Sequence, residues 1–531
     1  MTKTCQNCSQ TFQLAQPERD HYQRFKTEPT GLCFVCDQKQ RLCFRSEWNL
    51  YQRKCDGSGE DIISIYQPNT SYPVYKSNYW YSDIWNPLNY GRDYNPRRSF
   101  FEQFAELQAV VPRLALSNIK GDNSEYCNMT YGNKNSYLVF GGDWNEDVMF
   151  NTLGMRNKNS LDLDYSNKNE LCYMLLDSDQ CYGCQFVSSS KNCTNCFFIS
   201  DCSGCTECIL STNLINKSYY IYNQPYSKED YLKKKKQLLN DRYEQQQHNI
   251  QAWSQLRQQR KVKYANTVSC EQCSGDYIKN SQRCHHCFDV SASEQMTNVI
   301  FAVNSRDCLN SSLQGDNSEL CYNAISTYQA YNIQHSFFVI DSSDVTYSEF
   351  ILNSKNIFGS IGLRHQEYCI LNKRYRLDEY EKLRINIIQQ MRRTSEWGQF
   401  FPKQLACFGY NETTAQICFP LDKITALAQG FRWFDESNRI TNTRSEQTSE
   451  CQQCYKMFKF LNEERAFYQA QQLPLPRICP KCRHIWRMTL RNPRQLWNRQ
   501  CVRCSITVQS TYSPDRKEIV YCEQCYAKEI Y

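Results

Sequence analysis

Across residues 132–226 the side-chain pattern repeats every twelve positions. Ser136, Val148, Ser160, Cys172, Cys184, Cys196, Cys208 and Tyr220 form one column. Two residues on stand Leu138, Phe150, Asp162, Met174, Phe186, Phe198, Leu210 and Tyr222, with Asp162 as the single polar break. A fixed period with alternating inward positions predicts stacked β rungs, a first β-solenoid arm. Asn-Lys-Asn-Ser at 133–136 returns at 157–160, as turn chemistry in such an array should. The repeat fits either a 12-residue coil or half of a 24-residue one.

A second arm is predicted over 265–375. Ser281-Gln-Arg-Cys-His-His-Cys-Phe288 resembles Ser190-Lys-Asn-Cys-Thr-Asn-Cys-Phe197, and Phe337–Ile340 and Phe350–Leu352 read as later rungs. Both arms finish alike: Tyr219, Ile221, Asn223, Tyr226 and Tyr231 match Tyr368, Ile370, Asn372, Tyr375 and Tyr380 at an offset of 149. Charged helical stretches follow, 227–264 and 376–395, placed to cover an open sheet edge. The first, with lysine at 233–236, could instead be a linker or a coiled-coil arm. Residues 81–131 read as a connector. The span 376–446 reads as a helix followed by an aromatic connector with Trp397, Phe400, Phe401, Tyr410, Phe419 and Trp433.

The two ends are copies of each other at an offset of 446. Cys5, Cys8, Phe12, Glu18, Tyr22, Cys33, Cys36, Arg41, Arg45, Arg53, Cys55, Tyr66 and Val74 become Cys451, Cys454, Phe458, Glu464, Tyr468, Cys479, Cys482, Arg487, Arg491, Arg499, Cys501, Tyr512 and Val520. Three paired Cys-x-x-Cys sets result: Cys5/Cys8 with Cys33/Cys36, Cys451/Cys454 with Cys479/Cys482, and Cys501/Cys504 with Cys522/Cys525. Two such knuckles present four thiolates to one ion, the ligand set of a structural zinc, so about three Zn2+ are expected. Modules of this kind occupy 1–80 and 447–531. In the first, Ser58, Lys76 and Tyr79 replace the equivalents of Cys504, Cys522 and Cys525. One thiolate holds no structural zinc. That half is expected to rest on packing of Ile62, Ile63, Ile65, Tyr66, Val74 and Tyr75.

Composition sharpens this picture. Cysteine accounts for 32 of 531 residues, and the start, Met1-Thr-Lys-Thr-Cys-Gln-Asn-Cys8, has no apolar leader. A reducing, cytoplasmic setting is expected, where paired cysteines more often hold metal than form disulfides. The arm pairs Cys181/Cys184, Cys193/Cys196 and Cys205/Cys208 are read as a ladder of buried thiols in preference to metal ligands, because each falls in register with cysteine-free rungs. Cys270, Cys273, Cys284 and Cys287 stay open between a fourth site and two further rungs. Mean hydropathy is −0.71 and no apolar run approaches the ~20 residues of a membrane span. Charge is nearly balanced, 62 basic against 55 acidic side chains.

Cys451-x-x-Cys454, Phe458, Glu464, Tyr468, Pro474-Leu-Pro476 and Cys479-Pro-Lys-Cys-Arg483 resemble the treble-clef-like zinc-ribbon family labelled a "probable zinc-binding domain". Through Arg45–Tyr51, Tyr90–Asp93, Phe100–Phe104, Gly121–Glu125, Phe400–Pro402 and Gly409–Thr413, nearly the whole chain resembles uncharacterised multi-zinc proteins of candidate-phyla bacteria. The resemblance implies zinc and no activity. Some relatives carry a CoA-transferase label, which these residues do not support.

Three functions compete. An enzyme would need activated groups, yet the chain has 7 histidines, no metalloprotease helix motif, no phosphate loop and no nucleophile elbow. A thiol paired with His335 or His365 is the one arrangement left, and a non-enzymatic protein is expected. The favoured reading binds RNA or DNA, or a ribonucleoprotein, through Arg483, Arg487, Arg491, Arg494, Trp497 and Arg499, a stretch free of acidic residues. The alternative is a solenoid scaffold for a protein partner. In sum the sequence predicts a mainly β chain, two cysteine-rich solenoid arms with helical caps between zinc-ribbon modules.

Overall fold

The computed structural model describes residues 1–435 and 448–530. The end of the aromatic connector, 436–446, with 447 and 531, lies outside the described residues. The chain is mainly β and is dominated by two large stacks of short strands, one of 9 and one of 16, parallel throughout except for an antiparallel strand at the end of each.

In the first stack each strand pairs with the strand twelve residues on: Leu161↔Tyr173, Tyr173↔Gln185 and Gln185↔Phe197. The pairing repeat is therefore twelve residues. Within a rung the backbone turns at every third residue, not every second. Phe150, Leu153, Arg156, Asn159, Asp162, Tyr165, Lys168, Leu171 and Met174 all have φ between 44° and 60°. Left-handed backbone costs an L-residue about 1–2 kcal/mol, offset here by hydrogen bonds to the rungs on either side. Lys158 N donates to Asn169 O and Leu171 N to Lys158 O, at 2.8 and 3.2 Å.

This period of three corrects the expected alternation. The inward residues of one rung are Ser160, Leu163, Ser166 and Asn169, none more than 1% exposed. Asn145, Asn157 and Asn169 form a ladder in which each side-chain oxygen accepts the next rung's backbone N–H, ending at Cys181 N. Cys181, Cys193 and Cys205 simply continue that asparagine column. Phe150, Met174, Phe186, Phe198 and Leu210 sit at the left-handed corners instead. They point out of the rung and pack with Trp253 and Tyr468, in a core separate from that of the thiols.

The second stack follows the same rule, Phe337↔Glu349 and Ser343↔Lys355. One residue is gained between Arg306 and Glu319 and one lost between Cys270 and Ser281, local slips the period absorbs. Parallel pairing in the first stack begins earlier than residue 132, at Asn118↔Thr130.

The stretch 227–264 is not a free arm. It forms two helices, Lys228–Leu238 and Tyr243–Gln259. The second lies on the stack: Trp253 is 2% exposed and its Nε1 donates to Ser200 Oγ at 2.9 Å. The second stack is followed by the single helix Leu377–Arg393. Tyr231 and Tyr380 bury against Tyr219 and Tyr368 in matching places.

The internal copies also organise the whole chain. Strand Val74–Tyr75 of the first module pairs with Arg113–Leu114, just before the first stack. Its copy Ile519–Tyr521 pairs with Lys261–Lys263, just before the second. Residues 113 and 262 differ by the same 149 that relates the stacks. The other half of each module docks crosswise: Tyr22 meets Asn310 and Tyr322 of the second stack, and Tyr468 meets Tyr173 of the first.

Candidate metal centres

Each knuckle is a tight hairpin followed by a helix N-terminus, 25 residues on for Cys8–Cys33 and Cys454–Cys479 and 18 for Cys504–Cys522. Thr2–Thr4 pairs with Thr11–Gln13 and Thr448–Glu450 with Met457–Lys459. Cys5 N donates to Gln10 O and Ser9 N to Cys5 O, with Ser9 left-handed at φ 59°. Tyr455 and Ser505 repeat the turn with the same φ. The second cysteine pair opens a helix, Phe34–Leu42 after Cys33 and Pro480–Thr489 after Cys479. The positive end of a helix favours thiolate there.

The structure brings all twelve expected cysteines together, and the sulfurs of each four-cysteine group lie within 4.8 Å of one another. Cys8–Cys33, Cys454–Cys479 and Cys504–Cys522 sulfurs stand 3.8, 3.8 and 3.7 Å apart. A tetrahedral ion with metal–sulfur bonds of about 2.3 Å needs sulfur–sulfur edges of about 3.8 Å. The donor set therefore fits a soft or borderline divalent ion. Burial opposes ionisation of Cys451, yet the N–H groups of Cys479, Cys454 and Gln453 bring its thiol down to about 6. No position in these sets is left for substrate.

The fourth knuckle keeps its backbone with one of its four sulfurs, that of Cys55. Gly59 N donates to Cys55 O at 2.8 Å, with Gly59 at φ 76°. Cys55 Sγ accepts from Ser58 N and Lys76 N, both at 3.4 Å, and Lys76 pairs with Glu60. Ile65, Tyr66 and Val74 form the core expected to replace the metal, joined by Leu116 and Phe408.

Among the described residues, no other cysteines converge as a metal group. Cys184 Sγ donates to Tyr182 O and Cys193 O, each at 3.4 Å, and accepts Cys196 N. Cys284 and Cys287 are fully buried rung residues, while Cys270 and Cys273 point their thiols to carbonyls within the stack. His335 is fully buried between Tyr322 and Tyr347, and desolvation holds it neutral with a pKa of about 3.

Four of the six residues expected at a nucleic-acid face, Arg483, Arg487, Arg491 and Arg494, turn their guanidinium groups to buried carboxylates. Arg483 is 1% exposed, with Nε on Asp162 at 2.8 Å and Nη2 on Glu464 at 3.4 Å. Arg487, equally buried, binds Asp162 and Asp164 at 2.8 and 2.5 Å. Arg491 pairs with Asp177 at 3.0 Å and with Asp289, which Arg494 also binds at 2.8 Å. Arg499 donates to the carbonyls of Tyr512 and Ser513, and Trp497 sits half-buried in a hairpin strand. Desolvation opposes ionisation of Asp164, but Arg487 holds its carboxyl below the usual range. Arg483, Arg487, Arg491 and Arg494 thus face the stack, whereas Arg499 is held within its own module. Asp162, the lone polar corner in its column, was the sequence signal for this docking.

No family model and no curated protein matches the chain. A crystal structure of a protein provisionally named an acetyltransferase, from Desulfovibrio desulfuricans G20, aligns at 10% identity and a TM-score of 0.12. The alignment covers 43% of this chain and 63% of that one, and likeness this low carries no argument. Among the described residues no helix is long and apolar enough to cross a membrane.

Proposed function

We propose that the protein is a zinc-stabilised, non-enzymatic scaffold: two β-solenoid arms held crosswise by treble-clef-like modules, offering an extended surface to a protein partner. The observation that carries this reading is the use made of the end modules. Their metal sets each offer four thiols, and Arg483, Arg487, Arg491 and Arg494 of the C-terminal module are paired inward on the arms. Both features serve to hold the assembly together, which supports a structural use of the modules. Full-length protein purified at low salt should be free of nucleic acid by its absorbance ratio at 260 and 280 nm, should contain three zinc ions, and should crosslink to a specific protein in native cells. Salt-dependent binding of RNA or DNA at micromolar protein would reject the scaffold reading.

A further inference from the structure

The two stacks lie side by side and run in opposite senses. Ser189 Oγ meets Tyr277 Oη at 3.3 Å, and Asp179 pairs with Lys279 at 2.9 Å. Further along the same seam Asp143 lies close to Tyr328. This reach of the seam carries aromatic rings in the open. Trp144 is 54% exposed, the most exposed tryptophan of the chain, and Tyr328 is 41% exposed. Both rings are positioned by the backbone beneath them. A Cβ on Gly132 would stand 2.6 Å from Trp144 Cε3, and one on Gly315 would stand 2.6 Å from Tyr328 Cδ2. Each glycine lies one rung before its ring, so the ring settles onto bare backbone. Tyr131 meets Trp144 edge to face, with centroids 5.0 Å apart. Exposed aromatic rings held in place in this way suit the anchors of a protein interface.

We propose that this face docks a protein segment bearing lysine or arginine, laid against Trp144 and Tyr328 with its cation among Asp143, Asp316 and Asp341. The inference rests on the scaffold reading and names the chemistry of the partner. Charge complementarity carries it. The three carboxylates gather around the Tyr328 hydroxyl, which burial and then the charges of Asp316, Asp143 and Asp341 push up. Their hydrogen bonds come from neutral donors, Tyr131 N to Asp143 at 2.8 Å and Asn304 Nδ2 to Asp316 at 2.7 Å. Burial pushes the Asp143 carboxyl up to about 6. A carboxylate so placed gains from a cation brought beside it. The rings add to this, because the faces of Trp and Tyr attract ammonium and guanidinium groups. The chain already makes one such contact here, with Lys120 Nζ 5.2 Å from the centroid of the Tyr131 ring. Arg156, exposed one rung beyond Trp144, bounds the acidic reach on that side. The whole chain carries a formal net charge of +7, so the attraction for a cationic segment must be supplied locally.

The test uses zinc-loaded full-length protein carrying 5-fluorotryptophan, titrated with blocked tetra-arginine and tetraglutamate peptides and followed by fluorine NMR. Trp144→Phe assigns the resonance of residue 144. Tetra-arginine should move that resonance, and tetraglutamate should leave it in place. Anisotropy of a labelled tetra-arginine peptide then gives affinities. Trp144→Ala should weaken binding about threefold. Asp316→Asn with Asp341→Asn should weaken it about fivefold. Asp20→Asn, an exposed carboxylate elsewhere, should change nothing. Should a variant fail to fold, the wild-type resonance decides. A resonance that tetraglutamate moves or tetra-arginine does not, or equal losses in the Asp20 and Asp316/Asp341 variants, would overturn the proposal. Crosslinking of the full chain in native cells separates this outcome from failure of the scaffold reading. A protein partner captured there, while tetra-arginine leaves Trp144 unmoved, rejects this face alone; no captured partner rejects both.

Discussion

The two ends of the chain carry one module and use it differently. Both have four-cysteine knuckles, a docking helix and a strand that pairs with the lead-in to a stack. The C-terminal copy has two sulfur sets and the N-terminal copy one. The emptied knuckle nevertheless keeps its turn, its hairpin Tyr51–Lys54 with Asp61–Ser64, and its place on the core. The backbone of this half therefore outlives its metal once apolar packing is sufficient. The docking helices diverge in the same way. Arg41 and Arg487 are equivalent and almost fully buried, but Arg41 meets its own module's Asp37 and the neutral Asn323, whereas Arg487 meets two carboxylates of the stack.

The largest expected effect is on metal. Structural zinc contributes about 10–16 kcal/mol of apparent binding energy in isolated fingers, so its loss should unfold a knuckle locally. Elemental analysis of the full chain should give three zinc ions, falling to two in Cys454→Ser. Because the emptied knuckle keeps its geometry, the triple variant S58C/K76C/Y79C should rise to four. A count stuck at three would mean that the two copies differ in backbone as well as in sulfur. Cys184→Ser, the same chemical change made inside a stack, should leave the count at three and cost only about 1 kcal/mol, because the equivalent Ser160 already accepts Cys172 N and donates to Lys158 O.

The docking helices come next. Arg487→Met removes the charge that matches Asp162 and Asp164 while keeping most of the bulk. Stripping one partner from a buried network costs about 3–5 kcal/mol. Arg41→Met should cost less, about 1–3 kcal/mol, because burial already raises the Asp37 carboxyl and the lone acid can take up a proton. Urea unfolding of both variants checks the ordering, and equal losses would mean that the two interfaces are energetically alike despite their different partners.

Much of this was legible in the sequence, for reasons tied to particular residues. The twelve-residue period was visible because Cys172, Cys184, Cys196 and Cys208 occupy one inward column. The three-residue side was hidden, because Phe186 and Phe198 at its corners are as apolar as the interior and bury against another element. The metal sets were legible because knuckle spacing is local. The fate of the arginines was not: their partners, Asp162, Asp164, Asp177 and Asp289, lie more than two hundred positions away, and a run of cations reads the same whether it faces solvent or a neighbouring stack.

The smallest expected effect concerns an acid that both ends retain. Burial pushes the carboxyls of Glu464 and Glu18, again equivalent positions, up to about 7. Glu464 is 1% exposed, its Oε1 accepts from Tyr468 and Arg483, and its Oε2 has no partner, an arrangement that suits a protonated acid. In the unfolded chain such a group titrates near roughly 4.3. Between those values the native state holds a proton that the unfolded state has released, so its stability falls as pH rises. Glutamine mimics the neutral acid and removes this slope. Glu464→Gln should match wild type at pH 5 and exceed it by about 1–3 kcal/mol at pH 8. Asp164 and Asp289, held below the usual range, stay ionised throughout that window and add no slope. Glu18 is only half-buried, and water screens its charge. Glu18→Gln should therefore gain less than Glu464→Gln. Denaturant unfolding at pH 5, 6, 7 and 8 measures all three proteins, and parallel curves for wild type and Glu464→Gln would show that Glu464 is ionised in the native state.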